Sequence, residues 1–567
     1  MAINKLALQG IKLRVIAAGV IGLLGAGAVF AANPKLSREL EGLDGKQPVN
    51  VIVMFKKAPT FADHAKVLIR GGSVLRTLDV VHGGAYRMTA AKAAELAEDP
   101  DVEFIAPDHV VQGTLQFANP AINATIALQN GFIGTGIGVA VIDSGIMTHP
   151  DTSNRIVYNQ NFVPNIGNDY FDRYGHGTHV AGIIGGSAAE SAGPTFTHTF
   201  RGIAPNVTLI NLRVLDSNGQ GQDSSVIAAI QTAIQLKATY NIRIINLSLG
   251  RPVTESYTKD PLCQAVEQAW KAGIVVVVAA GNEGRNNSAN TNGYGTITAP
   301  GNDPYVITVG AMKDMGTPGR SDDLIASYSS KGPTMLDHIV KPDIVAPGNL
   351  IVSSLPAGLA LTNLYPQNKV SDSYYMVNGP NQGSDYYFTL SGTSMAAPMV
   401  SGAAALMLQK DPSLTPDTIK ARLMKTATKT FPVSSTATDP ITGAVYKSYY
   451  DVFTVGAGYL DAWAALNSND SVLPTESAQS PTVQVTSSGS VGLVEPYNVV
   501  WGSNVVWGSN VVWGSSVLSG SNVVWGSNVV WGSTTMAGFN VVWGSNVVWG
   551  SSAAQGELST VAIYGEK

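Results

Sequence analysis

The stretch Ile137-Gly-Val-Ala-Val-Ile-Asp143 is apolar, largely β-branched, and breaks off on a carboxylate. A strand with one wet face alternates apolar and polar residues, so an unbroken run of this kind suits a strand buried on both faces. Four further runs are short, β-branched and nearly all-apolar: Thr208 to Val214, Ile242 to Leu247, Ile274 to Ala279 and Val306 to Val309. Between them, Val226 to Tyr240 and Pro261 to Ala272 read as helices. The alternation predicts an α/β fold, a parallel sheet with helices on both faces.

A sheet of that type delivers the residues just past its strand ends to one crevice. Asp143 follows the first run, Ser248 lies just past Leu247, and Asn282 follows Ala279-Ala-Gly281. Two further segments, Gly175-His-Gly-Thr-His-Val-Ala-Gly182 and Ser391-Gly-Thr-Ser-Met-Ala-Ala-Pro398, read as helix starts. Their small residues let a helix press closely on the sheet while its first residue faces the crevice.

Outward from this core the organisation changes. From Val49 the order strand, helix (Phe61 to Ile69), two strands (Ser73 to Met88), helix (Ala90 to Ala97) and strand (Val102 to Ala106) predicts a small ferredoxin-like α+β unit over residues 47–112. Residues 1–31 carry Lys5, Lys12 and Arg14, then the apolar run Val15 to Phe30, then small residues. That is the layout of a secretory signal peptide. The run is shorter than the ~20 residues a helix needs to span a bilayer, so export to the extracellular space or cell surface is expected. Residues 466–490 are rich in Ser, Thr, Asn and Pro and read as a linker. Beyond them, residues 498–551 form nine unbroken hexads, seven of them Asn-Val-Val-Trp-Gly-Ser and two degenerate. Such uncharged Val/Trp segments stick unless paired, which suggests self-assembly or surface attachment.

A chain of 567 residues accommodates several domains. Acidic residues exceed basic ones by only five, and no Lys/Arg-dense stretch follows the first residues, which excludes a nucleic-acid surface. Cys263 stands alone, so no internal disulfide forms. Its helical, apolar surroundings read as those of a buried structural thiol.

Val141-Ile-Asp143-Ser-Gly, His176-Gly-Thr-His-Val-Ala-Gly and Gly392-Thr-Ser394-Met-Ala-Ala-Pro resemble the three signature blocks of the subtilisin-like serine proteases, in the family's chain order. Leu247-Ser-Leu-Gly250, Ala280-Gly-Asn282-Glu-Gly and Lys341-Pro-Asp-Ile-Val-Ala-Pro-Gly348 add blocks, so the resemblance covers residues 118–465. It implies a serine endopeptidase acting on proteins or peptides, with no cofactor for catalysis. Ser394 needs a base, His176 has a suitable pKa, and Asp143 would orient His176 and stabilise its imidazolium. The Asn282 amide and the Ser394 backbone N–H would bind the oxyanion.

The resemblance further implies that Ser248, Leu249 and Gly250 pair with an extended substrate while Ala279, Ala280 and Gly281 form the facing wall. Small residues there leave room for an apolar or aromatic side chain. Asp151 matches a calcium-ligating position, with calcium as a structural ion, although Ser187 to Arg201 lacks the family's ligand pattern. Residues 47–112, closing in Ala106-Pro-Asp-His109, are similar to the family's inhibitory propeptide, which implies self-cleavage between Gln112 and Asn119. His179 and His149 read as structural. The rival reading is a surface attachment protein whose repeats carry function on an inactive protease scaffold; the full set of Asp143, His176, Asn282 and Ser394 argues against it.

Overall fold

A computed structural model describes residues 33–37, 40, 43–78, 82–107, 115–288, 291–439, 443–485, 491–494, 523–525, 529–531 and 565–566. The expected signal peptide, residues 112–114 of the cleavage segment and most of the repeat array lie outside the described residues; the rest of the cleavage segment, from Leu115, lies in the helix Leu115–Ala121. The chain divides into two compact units after Val111.

In the first unit, β1 (Pro48–Phe55), α1 (Phe61–Ile69), β2 (Ser73–Leu78), β3 (Gly83–Thr89), α2 (Ala90–Ala97) and β4 (Val102–Pro107) follow the expected order. The sheet runs β2-β3-β1-β4 with antiparallel neighbours throughout. Val51, Val53 and Phe55 alternate inward along β1, as a strand covered on one face requires. They meet Val67 of α1, Ala93 and Leu96 of α2, and Ile105 of β4. Leu36 and Leu40 belong to the same core, so this unit begins ahead of residue 47.

The second unit is built on β5 (Gly138–Asp143), β6 (Ile156–Asn161), β7 (Thr208–Arg213), β8 (Ile242–Leu247), β9 (Val275–Ala279), β10 (Ile307–Lys313), β11 (Leu324–Ile325) and β12 (Ile344–Pro347). The order is β11-β10-β9-β8-β5-β7-β6, with β12 also on β10. Every pairing is parallel except that of β10 with the two-residue β11, so the sheet is mixed. All of β5, β9 and β10 is buried. Each fully buried Val or Ile there contributes roughly 1.5–3 kcal/mol relative to exposure. Strand β6, which the apolar-run reading misses, is the sheet edge; Asn159, Gln160 and Asn161 keep part of their surface in solvent.

Among the helices that pack on this sheet are α3 (His176–Gly185), α4 (Asp223–Gln235), α5 (Pro261–Lys271) and α6 (Thr393–Lys410). Helix α5 starts well because Asp260 caps it, accepting the Leu262 N–H at 2.9 Å. Cys263 on α5 is buried with Sγ donating to Asn302 Oδ1 at 3.3 Å, and burial pushes its thiol pKa up, so it stays protonated.

Composition misleads for residues 466–483 of the expected linker. The chain as far as Val483 is seated on the second unit, with Val472, Ala478, Ser480 and Val483 buried. The Ser480 N–H donates to the Pro304 carbonyl and the Val483 N–H to that of His338. A few apolar side chains and correctly placed hydroxyls suffice to hold a segment whose average composition is that of a linker. Within the repeats, Val523–Trp525 pairs antiparallel with Val529–Trp531, so Val-Val-Trp units of two successive hexads face each other across Gly-Ser-Asn.

Candidate active site

Helix α3 contains three glycines, each costing about 1 kcal/mol of helix propensity relative to Ala. Packing explains them, and Gly177 bears on the site. A β-carbon on Gly177 would overlap the Gly145 carbonyl oxygen and come within 3.0 Å of Asp143 Cβ. Glycine therefore lets the first turn of α3 lie against the end of β5, which brings His176 to Asp143. His176 Nδ1 donates to Asp143 Oδ1 at 2.8 Å. From Gly177 to Gly185 every residue is buried, whereas the His176 side chain keeps 17% of its surface exposed.

Helix α6 repeats that design. Every residue from Thr393 to Leu408 is buried except Ser394. Pro398, four residues on, has no N–H to give the Ser394 carbonyl, which would otherwise be left bare. The Ser248 hydroxyl fills the gap, donating to that carbonyl at 2.8 Å. The Ser394 hydroxyl in turn donates to the Ser248 carbonyl at 3.1 Å. A relay from Ser401 Oγ to Asn246 Oδ1 (2.8 Å) and from Asn246 Nδ2 to Ser248 Oγ (3.0 Å) anchors this exchange deep in the unit. Ser394 Oγ thus rests on Ser248, and engaging the imidazole requires the hydroxyl to turn from that carbonyl.

Asn282 is oriented by the same helix. Its Oδ1 accepts the Thr393 N–H at 2.8 Å and the Thr393 hydroxyl at 3.1 Å. With the oxygen committed, the amide N–H₂ is the free end. Gly392, at φ +143, a backbone conformation an L side chain adopts only under strain, sits where an added β-carbon would lie 3.3 Å from Asn282 Nδ2.

The electrostatics separate the two histidines of α3. Burial pulls the His176 pKa down, but the Asp143 carboxylate, aided by Asp172, more than offsets it, and the net shift is upward. His179 is fully buried, with Nε2 between the carbonyls of Ile351 (3.1 Å) and Phe388 (3.0 Å). Burial pushes its pKa down to about 3, so it is neutral and donates. His149 is likewise buried, its Nε2 on the Tyr386 carbonyl at 3.0 Å and its Nδ1 accepting the Asp151 N–H at 3.1 Å.

Asp172 is a site residue that motif reading misses. It is buried and accepts from the N–H groups of Tyr174, Gly175 and Thr178 and from the Thr178 hydroxyl, all within 3.0 Å. It caps the turn that presents His176. Burial raises its pKa despite those donors. A carboxylate four residues ahead of the histidine was the available signal.

Of the expected substrate wall, Leu249 is half-buried and Gly250 exposed. Ala279 and Ala280 are buried, and Ala280 already pairs its N–H with Val309 and its carbonyl with Thr298. Gly281 N donates to Thr393 Oγ1 at 3.2 Å.

The residues around Asp151 do not fit a calcium ion. Oδ2 accepts the hydroxyls of Ser354 and Tyr387, each at 2.9 Å, and Oδ1 accepts the Glu190 N–H at 3.2 Å. Its charge is met by protein donors, and no group of three or more His, Cys, Asp or Glu suited to a metal stands among the described residues.

Residues 134–444 match the model of the Subtilase family. Serine protease AprX of Bacillus subtilis (strain 168) is 38% identical over 344 residues, which is 59% of this chain and 71% of that protein. Subtilisin E of the same strain is 35% identical over 385 residues, 66% of this chain and 84% of subtilisin E. The thermostable alkaline protease of Halalkalibacterium halodurans is 33% identical over 353 residues, 62% and 78% of the two chains. Proteases of this kind need no cofactor for catalysis. With the family model spanning more than half of its length, this chain belongs to the subtilase family and is a serine endopeptidase.

Proposed function

We propose that Asp143, His176 and Ser394 are the catalytic triad and Asn282 the side-chain donor of the oxyanion hole. The observation that carries this reading is the 2.8 Å bond of His176 to Asp143 at one helix start, packed with a second helix whose first turn leaves Ser394 short of full burial while Thr393 and Met395 are buried. Ser394 Oγ attacks the peptide carbonyl carbon while His176 Nε2 takes its proton, and Asp143 stabilises the imidazolium. The oxygen that becomes negative is met by Asn282 Nδ2 and the Ser394 N–H, an orphan donor of the first turn of α6. His176 then returns the proton to the leaving amine as the C–N bond breaks. Water, deprotonated by the same imidazole, hydrolyses the acyl-enzyme and restores the serine.

Substrate runs along Ser248, Leu249 and Gly250, where main-chain pairing makes limited sequence demands. Ala279 and Ala280 contribute bulk rather than hydrogen bonds, with Gly281 at the end of the wall. The enzyme is exported and self-processed: residues 47–112 act as its inhibitory propeptide, and the cut falls between Gln112 and Asn119. The repeats serve attachment or assembly, a role supported by the antiparallel pairing of successive Val-Val-Trp units.

The deciding experiment is a Ser394→Ala variant. It should fail to react with a serine-directed fluorophosphonate and should accumulate as precursor uncut in that junction. Normal processing, read by N-terminal sequencing, would remove the self-cleavage claim, and undiminished labelling would remove Ser394 from the triad.

A further inference from the structure

Glu566, far along the chain beyond the repeats, is buried in the second unit with 3% exposure. Its Oε1 accepts from Lys313 Nζ at 2.8 Å, and its Oε2 accepts the Ser327 N–H and hydroxyl, both at 2.7 Å, and Arg285 NH2 at 3.4 Å. Asn349 grips the main chain in both directions, accepting the Glu566 N–H and donating to its carbonyl, each at 2.7 Å. Gly565 is selected by shape: it adopts φ +64, and a β-carbon there would lie 2.6 Å from Ser391 Oγ and against Leu350. The niche therefore reads two residues, a glycine by space and a glutamate by charge and backbone.

Its walls come from functional neighbourhoods. Arg285 follows Asn282 by three residues, Lys313 ends β10, and Ser391 opens the turn into Ser394. The side chains of Arg285 and Lys313 are each only 6% exposed. Buried cations of this kind are costly without counter-charge. Arg285 has a second partner, Asp439 at 3.0 Å, whereas Glu566 is the carboxylate within ion-pair distance of Lys313 among the described residues.

We infer that Arg285, Lys313, Ser327 and Asn349 form a receptor for the Gly565-Glu566 segment of this same chain. The segment is a latch. Latching braces the loops bearing Asn282 and Ser394.

The test uses the full-length Ser394→Ala chain, free of self-digestion, read by hydrogen exchange and mass spectrometry. Peptides covering 565–566, 282–286 and 347–351 should be protected in the parent, and Glu566→Ala should speed their exchange at least about ten-fold. Glu566→Gln, which keeps the shape and removes the charge, should fall between. Gly565→Ala should release the latch without altering charge. A synthetic peptide of residues 559–567, added to the Glu566→Ala chain, should restore protection saturably. Unchanged exchange in all three variants would overturn the latch. Protection that falls on dilution of the parent, with a dimer in sedimentation, would assign the segment to a second copy and overturn its docking on this same chain. Should Glu566→Ala not fold, the Gln and Gly565→Ala chains decide by the same reading.

Discussion

At the crevice, Asp143 holds His176 with one oxygen while its Oδ2 is buried without a hydrogen-bond partner among the described residues. Elsewhere in the same unit, Lys341, Asp343 and Lys420 are fully buried and every charged atom has a partner. Asp343 accepts the Thr308 N–H at 2.8 Å, Lys341 at 2.7 Å and the Ser480 hydroxyl at 2.5 Å. Lys420 reaches the carbonyls of Pro304, Tyr305 and Val306 and the Ser480 hydroxyl. Burial pushes the Asp343 pKa up, but its two lysines outweigh that and hold it below the usual range. A saturated cluster can only hold; an incompletely satisfied one at a half-open mouth has bonding capacity left for chemistry. Removing a partner should therefore cost stability in the first case and rate in the second.

The largest expected effect lies at the crevice. Ser394→Ala should lower kcat by about 10⁶-fold, the size found when the nucleophile of subtilisin is removed, with an unchanged melting temperature. Asp143→Asn should cost about 10⁴-fold. It should also move the acid limb of the kcat/KM profile. The base works as neutral imidazole, so activity rises as pH climbs through the His176 pKa, which Asp143 lifts above the ordinary value of about 6.5. With that charge gone the limb shifts to lower pH; a limb that stays put would detach His176 from the profile. Asn282→Leu should lose about 10²–10³ in kcat with KM nearly constant. At the saturated cluster, Lys420→Met should remove about 3–5 kcal/mol of stability by leaving Asp343 short of a partner. Its kcat per folded molecule should match the parent, and a matching loss of rate would erase the distinction between the two clusters.

Legibility followed the same divide. Strands β5, β7, β8, β9 and β10 announced themselves because near-complete burial on both faces demands nearly all-apolar runs. The edge strand β6 did not, and neither did the small sheet of Ile351–Ser354, Lys369–Ser371 and Gly383–Leu390, whose polar and aromatic residues follow no single period. The crevice residues were readable from their positions beside strand ends and helix starts. Asp172 was not, since a capping carboxylate in a loop looks like any turn residue until the helix it caps is in place.

By itself the sequence determined the central strands of the sheet, the helix starts and which polar groups stand at them, because periodicity and glycine spacing are local properties. Only the tertiary structure decided where each polar atom spends its bonds. It committed the Asn282 oxygen to Thr393 so that the amide N–H₂ is free, set the Ser394 hydroxyl on Ser248, and saturated Asp151 with hydroxyls where an ion was expected. It also seated Glu566 on residues 217 to 281 positions away. Hydrogen bonds and ion pairs are settled by atoms within about 3 Å, and in a folded chain those neighbours come from any distance along it.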